Sequence, residues 1–389
     1  MILRCGGYFL LSVLSIASAP AVAALAQVPS NVPTSPVTPP TLEEVRREMA
    51  VPSHDDVRGQ RDGIGYALRA EQMAKVWELS DNPPEPEVLS PSPAPGVAAV
   101  IAPHDDFMFA GRIYRRAIPL LTARTVVLIG VFHGYRRFAE HDRVVFDAYR
   151  SWTAPDGPVP VSPLREALLA RLPPEDWVQS DVAHDAEHSL EAIVAWLRHV
   201  DSNLEIVPII VPAARFERLE QIAGHLGRAL ADEMKARGWT LGRDVAIAIS
   251  TDGIHYGPDF KQTLFGAGGV TAYQKATAKD KGLLTGPLRG ALSVPRIRTL
   301  YSTFVDPDHP DDYRWTWCGR FSVPFGLLTL EELTRGSGGV IGHPLAYGTS
   351  ISAPELPLRD AGMGTTAPSN LYHFVGYPAA AFTLRGPTR

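Results

Sequence analysis

Cysteine is nearly absent from this chain: there are two in 389 residues, Cys5 and Cys318. Cys5 falls in an amino-terminal stretch that reads as cleavable, so Cys318 alone would remain, which excludes an intramolecular disulfide even in an oxidising compartment. With Trp315 and Trp317 beside it, Cys318 reads as a small buried hydrophobe rather than a nucleophile. Charge of one sign is also lacking. A formal net charge of −5 with no concentrated Lys/Arg stripe excludes the electrostatic footprint of a nucleic-acid binder and favours a small-molecule or peptide ligand. There is no internal repeat and no Walker A match, and Gly266-Ala-Gly-Gly269 follows no clear strand, so no phosphate loop is read there. Stability must come from packing, for which 45% hydrophobic residues are ample.

Long apolar runs are missing too, apart from the first residues. Arg4, the stretch from Tyr8 to Ala17, and Ala21-Val-Ala23 or Ala24-Leu-Ala26 match the three parts of an export signal. Ser12, Ser15, Ser18 and Pro20 interrupt the run, which is short for a span of about 20 residues, so cleavage is expected rather than anchoring. Residues 1–26 are therefore expected to be a signal peptide, with the mature protein periplasmic or secreted and without a membrane span. Residues 27–95 read as a Pro-rich tether with short helices. Thr41 and Glu44 form a capping-box signature ahead of Leu42, Val45 and Met49, and a second helix covers Tyr66 to Leu79. The compact domain is expected over residues 96–389.

Beyond Gly96, strands alternate with helical periodicity: strands at 97–102, 125–131, 205–211 and 244–250, and helices near 110–121, 189–199 and 214–236. That alternation predicts an α/β fold with a mostly parallel central sheet and helices on both faces. Residues 138–182 and 284–320 are rich in Pro and Asp and are assigned to extra hairpins or loops, and Phe374 to Leu384 adds a late strand.

Three of these apolar runs finish on a histidine or aspartate. The first leads into His104, in Ala102-Pro-His-Asp-Asp-Phe107, the second into His133, in Gly130-Val-Phe-His-Gly-Tyr135, and the third into Asp252 and His255, in Ser250-Thr-Asp-Gly-Ile-His-Tyr-Gly257. Loops leaving the carboxyl ends of parallel strands collect at one sheet edge, so these side chains can converge on one ligand. Imidazoles and carboxylates suit a borderline divalent metal ion, with His104, His133, Asp252 and His255 as candidate ligands. Each also has a plainer reading: His104 as a helix cap, His133 as a loop histidine, Asp252 as an Asx-turn residue before Gly253. A fourth element, His184-Asp-Ala-Glu-His188, has two histidines four apart, yet Asp185 stands where a zinc protease has its glutamate, and the helix is expected to start only near Ser189. What remains is His188 near a helix start, as a candidate acid/base oriented by neighbouring acids such as Asp185.

Taken in order, these motifs resemble the Memo family, also known as AmmeMemoRadiSam system protein B, whose fold is similar to the class III extradiol dioxygenases. Ala102-Pro-His104 followed by Gly111 resembles that family's Pro-His-Ala-Gly-Tyr, and Leu128 to His133 its Leu-Gly-Pro-Ser-His. Asp185 to Glu191 is similar to Glu-His-Ser-Leu-Glu with an upstream acid, Ser250 to Gly257 to Ser-Ser-Asp-Phe-Cys-His-Trp-Gly, and Cys318-Gly-Arg320 and Val375-Gly-Tyr377 to its closing motifs. The resemblance covers about residues 96–386 and leaves the first ninety-odd without a counterpart. It implies His104 and His133 as metal ligands and His188 in the same pocket, in the position of the dioxygenases' acid/base histidine. The family's third ligand falls on Ile254, which cannot coordinate. The site is then completed by Asp252, His255 or Asp185, or it has lost its metal; Asp105 and Asp106 offer further carboxylate oxygens.

Three functions follow as expectations. One is a non-haem, dioxygenase-like oxidoreductase carrying Fe(II) or copper, with His188 deprotonating the substrate. Another is a non-catalytic envelope protein that holds copper or iron, or presents a groove to peptides. The third is a zinc-assisted hydrolase in which His188 shuttles protons.

Overall fold

Four parallel strands carry the centre of the protein in the computed structural model, which describes residues 38–385. Their spatial order is Val97–Ala102, Val245–Ser250, Thr125–Val131, Glu205–Val211. The first three are buried at every residue, as expected for strands covered on both faces. The latest of these strands in sequence, Val245–Ser250, is inserted between the first two. The three strands that end on His104, His133 and Asp252 are therefore immediate neighbours, and their carboxyl ends open at the same edge.

The sheet as a whole is mixed rather than mostly parallel. On one flank Phe374–Leu384 runs antiparallel to Val97–Ala102 and to Val340–Thr349, which in turn pairs antiparallel with Gly290–Ala291. On the other, Val144–Phe146 runs antiparallel to Glu205–Val211, and Trp177–Gln179 lies parallel beyond it. The strand–helix alternation on which the parallel expectation rests covers only residues 97 to 250. On the downstream flank Phe374–Leu384 follows Val340–Thr349 with no α-helix in between, so it lacks the crossover a parallel neighbour needs and pairs antiparallel with it.

The expected helices form at Phe107–Ala117, Glu191–Val200 and Phe216–Arg237, the last closed by Gly238 at φ 67°. Two further helices, Val270–Thr285 and Ser322–Thr334, had no signal. The second is buried along nearly its whole length, so it has no polar stripe to give it a period. Residues 284–320 hold the helix Val294–Phe304 where loops were expected, whereas 138–182 do contain short strands.

The expected boundary near Gly96 is not where the compact body begins. Residues 38–95 belong to the same unit as the sheet. Thr41 does cap the helix Leu42–Met49, accepting from the Glu44 N–H at 3.2 Å while Glu44 accepts from the Thr41 N–H at 2.7 Å. That helix buries Val45, and the helix Ala70–Leu79 buries Met73 and Val76. Between them Arg58 is fully buried against Glu191 at 2.6 Å, with its guanidinium 4.2 Å from the centre of the Trp152 ring. Proline-rich composition signalled a tether, but the apolar and charged residues between the prolines are fixed to the domain. The signal peptide expected at 1–26 lies outside the described residues, among which no helix is long and apolar enough to cross a membrane.

Candidate metal centre

Three imidazoles meet at the carboxyl edge of the sheet. The ring centroids of His104, His133 and His188 lie 5.1 to 5.6 Å apart, with His133 and His188 stacked in parallel. One nitrogen from each ring lies within 4.8 Å of the others. They line a cavity of about 770 Å³ together with Arg61, Ile64, Phe109, Asp252, His255 and Phe260.

Hydrogen bonds fix which nitrogen carries each proton. His104 Nδ1 is 2.7 Å from Ser250 Oγ, whose own hydrogen is donated to the Ser189 carbonyl at 2.6 Å. Ser250 can therefore only accept from the ring, so His104 carries Nδ1–H and its Nε2 is a lone pair. His133 reaches the same state by another route, donating Nδ1–H to Glu187 Oε1 at 2.9 Å. Glu187 is buried and also accepts the N–H groups of His133, His188 and Ser189. Burial would raise its carboxyl, but His133, His188 and these bonds outweigh it and hold Glu187 well below the usual carboxylate range. A carboxylate behind an imidazole is the usual outer partner of a metal-bound histidine.

His188 is different. Arg61 Nη1 lies 2.9 Å from its Nδ1, and a guanidinium can only donate. The neutral ring must therefore keep its proton on Nε2. Burial, with further help from His133 and Arg61 against the pull of Glu187, lowers His188 to about 4. His104 is held well below its ordinary value by burial and by the two neighbouring rings. Thus two histidines offer lone pairs and the third an N–H. In this state His188 is a hydrogen-bond donor, and the base role expected for it requires Arg61 to withdraw.

The remaining expected ligands separate. Asp252 accepts the His104 backbone N–H at 2.9 Å through Oδ1, and its Oδ2 is 3.3 Å from His104 Nε2. His255 lines the cavity, but its Nδ1 faces the carbonyls of Gly253 and Thr316, and among the described residues it joins no group of three possible ligands within reach of one ion. Asp185 is not part of the centre. It is fully buried, accepts from Ser53 Oγ at 2.7 Å and Tyr149 Oη at 2.9 Å, and faces Arg46 at 3.4 Å, so it fastens the amino-terminal segment. His184 sits on the separate turn Asp181–Asp185, with its Nε2 on the Val145 carbonyl. Ile254 is fully buried, and its N–H is held by Asp280 at 2.8 Å. Asp105 and Asp106 turn to Tyr377 and Thr366, and burial beside Asp105 raises Asp106 to about 7.

Sequence reasoning missed Arg61, Glu187 as the partner of His133, and Cys318, whose Sγ lies 3.5 Å from His104 Nε2. Glu187 stood inside a motif already singled out. Nothing local in the sequence marked Arg61.

A family model for Memo-like proteins matches residues 63–350. The match begins well before residue 96, so part of the segment read as having no counterpart has one. A MEMO1 family protein of Thermococcus kodakarensis is 26% identical over 259 residues, covering 66% of this chain and 81% of its own length. Another from Archaeoglobus fulgidus is 28% identical over 175 residues, 44% of this chain. A third, from Methanothermobacter thermautotrophicus, is 29% identical over 181 residues. The chain spans 60% of the length of each of these last two relatives.

Proposed function

The chain belongs to the Memo family, and from that membership we propose that it is an exported metalloprotein whose His104 and His133 hold a divalent ion beside a cavity for a small organic ligand. The observation that carries this reading is the pair of tautomers: Ser250 and Glu187 take the Nδ1 protons of the two rings and leave both Nε2 atoms as lone pairs. Two imidazoles, one backed by a buried carboxylate, suit iron, copper or zinc. When bound, iron or copper would supply oxygen chemistry and zinc a Lewis acid. We favour an oxidoreductase of the dioxygenase type.

In that reaction the chain's own residues orient the ligand and place a proton. Ile64, Phe109 and Phe260 give the cavity apolar contacts for an aromatic or aliphatic body. The His188 Nε2–H donates to an anionic oxygen of the ligand, and Arg61 keeps the ring in the donor tautomer. Export rests on Arg4, the apolar run and the small-residue cleavage sites.

Metal analysis of the purified protein beside the double variant His104→Ala, His133→Ala tests the reading. Bound iron or copper in the first and its loss in the second are expected, together with oxygen uptake on adding catechols that stops with chelator. Equal metal content in both proteins would end it. Tight binding without turnover would favour a protein that carries metal or peptide, a reading supported by the apolar Ile254 at the position of the family's third ligand. Ester or amide turnover restored by zinc would favour a hydrolase.

A further inference from the structure

Arg112 is a buried cation without a counter-charge. It sits on the helix Phe107–Ala117 and is 7% exposed, and no carboxylate oxygen of the described residues lies within 4.0 Å of its guanidinium. The cations around it are each paired: Arg115 with Asp81 at 2.8 Å, Arg116 with Glu85, and Lys281 with Glu87 at 2.9 Å. Arg112 instead donates Nε–H to the Asn82 carbonyl at 3.2 Å and Nη1–H to the Pro354 carbonyl at 2.9 Å. Among the described residues nothing accepts from its Nη2, yet that nitrogen is not sealed in. Burial pushes the guanidinium below its ordinary value with no carboxylate to oppose it, but an arginine stays charged. A charge held in that state is costly unless an anion joins it.

The same side chain lines a second cavity, of about 370 Å³, whose walls share only Phe109 with the cavity at the imidazoles. Ile113, Tyr273, Tyr347 and Tyr377 complete its apolar surface. The three phenol groups are already engaged, Tyr347 with Asp280 at 2.9 Å, Tyr377 with Asp105 at 2.7 Å and Tyr273 with Thr349 Oγ1 at 3.1 Å. They therefore offer an occupant chiefly ring surface. Aromatic walls around one fixed polar group are the make-up of a small-molecule pocket, and the volume lies at the small end of the usual range of about 300–1,000 Å³. Glu85 and Glu87 line it as well, so a dianion such as phosphate would meet two carboxylates and a single unpaired cation. A carboxylate, with one negative charge, suits the guanidinium better.

We propose that this cavity is a second ligand site, distinct from the imidazole centre, that takes a small aromatic carboxylate. The carboxylate accepts from Arg112 Nη2 and the ring packs among Phe109, Tyr273 and Tyr377. No bond is made or broken there, and the site stands whether or not the imidazoles hold a metal.

The test uses para-bromobenzoate as probe, with its neutral amide, para-bromobenzamide, for comparison. Calorimetric titration of the purified protein should show binding of the acid, with the amide weaker by about tenfold or more, as expected for loss of a charge-assisted hydrogen bond. Arg112→Gln should weaken the acid by a similar factor. Because that variant also gives up bonds to the carbonyls of Asn82 and Pro354, Ala353→Phe, on the half-buried rim, provides a second route: it narrows the cavity and should abolish binding while leaving Arg112 in place. Anomalous scattering from crystals soaked in the acid should place bromine between Phe109 and Tyr273. Equal binding of acid and amide, full binding by a folded Arg112→Gln or Ala353→Phe variant, or bromine only beside Arg61 and His188 would overturn the second site. Bromine at Arg112 without binding in solution would also overturn it, as binding at crystal concentration only.

Discussion

Glu187 holds His133 at two points: Oε2 accepts the backbone N–H at 2.6 Å and Oε1 the ring Nδ1–H at 2.9 Å. One carboxylate thereby fixes both where the loop after the Thr125–Val131 strand turns and which ring nitrogen is free. The same Oε1 accepts the N–H groups of His188 and Ser189, so the bend that presents the third imidazole is set by the group that prepares the second.

Glu187→Gln should keep the shape but weaken the preference for the Nδ1–H tautomer of His133. Metal affinity is expected to fall about 10–100-fold, as for other outer partners of metal-bound histidines. Competition with a chromophoric chelator measures it, and unchanged affinity would remove Glu187 from the centre.

Arg61→Ala opens Nδ1 of His188 to a proton. In the metal-free protein the ring should titrate above its present value of about 4 while staying below the ordinary range, because burial, the larger cause, persists. Histidine resonances followed by NMR between pH 3 and 8 decide this; an unmoved His188 would show that Arg61 does not set its protonation.

His184, lowered to about 3, and His188 and His255, each lowered to about 4, stay neutral when folded, mainly because they are buried. The unfolded chain therefore binds more protons as pH falls from about 6.5 towards 4, and stability is lost across that window at up to about 1.4 kcal/mol per pH unit for each group. Asp106 acts in the opposite sense. Raised to about 7 by burial and Asp105, it takes up its proton earlier in the folded state and adds stability as pH falls below 7. Asp106→Asn should be more stable than wild type at pH 8, on the order of 1–3 kcal/mol. It should also lose stability more steeply towards pH 4, and urea midpoints of the metal-free proteins against pH test both signs.

Arg58→Ala leaves Glu191 buried without its partner and strips donors from the carbonyls of His184 and Glu187. A cost of about 3–5 kcal/mol is expected from chemical denaturation. A change below about 1 kcal/mol would mean that the amino-terminal segment adds little to the fold.

The strands ending at His104, His133 and Asp252 were legible because each is a short apolar run closed by a polar residue, and a parallel sheet gathers such ends. The helix Ser322–Thr334 was not, since burial on all sides erases the periodicity that reveals a surface helix. Asp185 and Glu187 were both visible as acids beside His188. Two residues of spacing separate an acid that fastens the amino-terminal segment from one that orients a ring, and sequence has no means to tell which side of a turn each will face. Cys318 read as a plain hydrophobe because its neighbours are tryptophans. Those indoles in fact turn away to Asp280, both donating to its Oδ1 at 2.7 Å, while the sulfur is left beside His104.

The strand carrying His104 has as its two neighbours Val245–Ser250 and Phe374–Leu384, both far downstream. A growing polypeptide therefore exposes three imidazoles and an unpaired apolar strand long before the segments that align them have been made. Contacts of such long sequence separation form slowly and leave intermediates prone to aggregation. Cells would do well to keep the nascent chain from capturing stray metal until its final third has emerged.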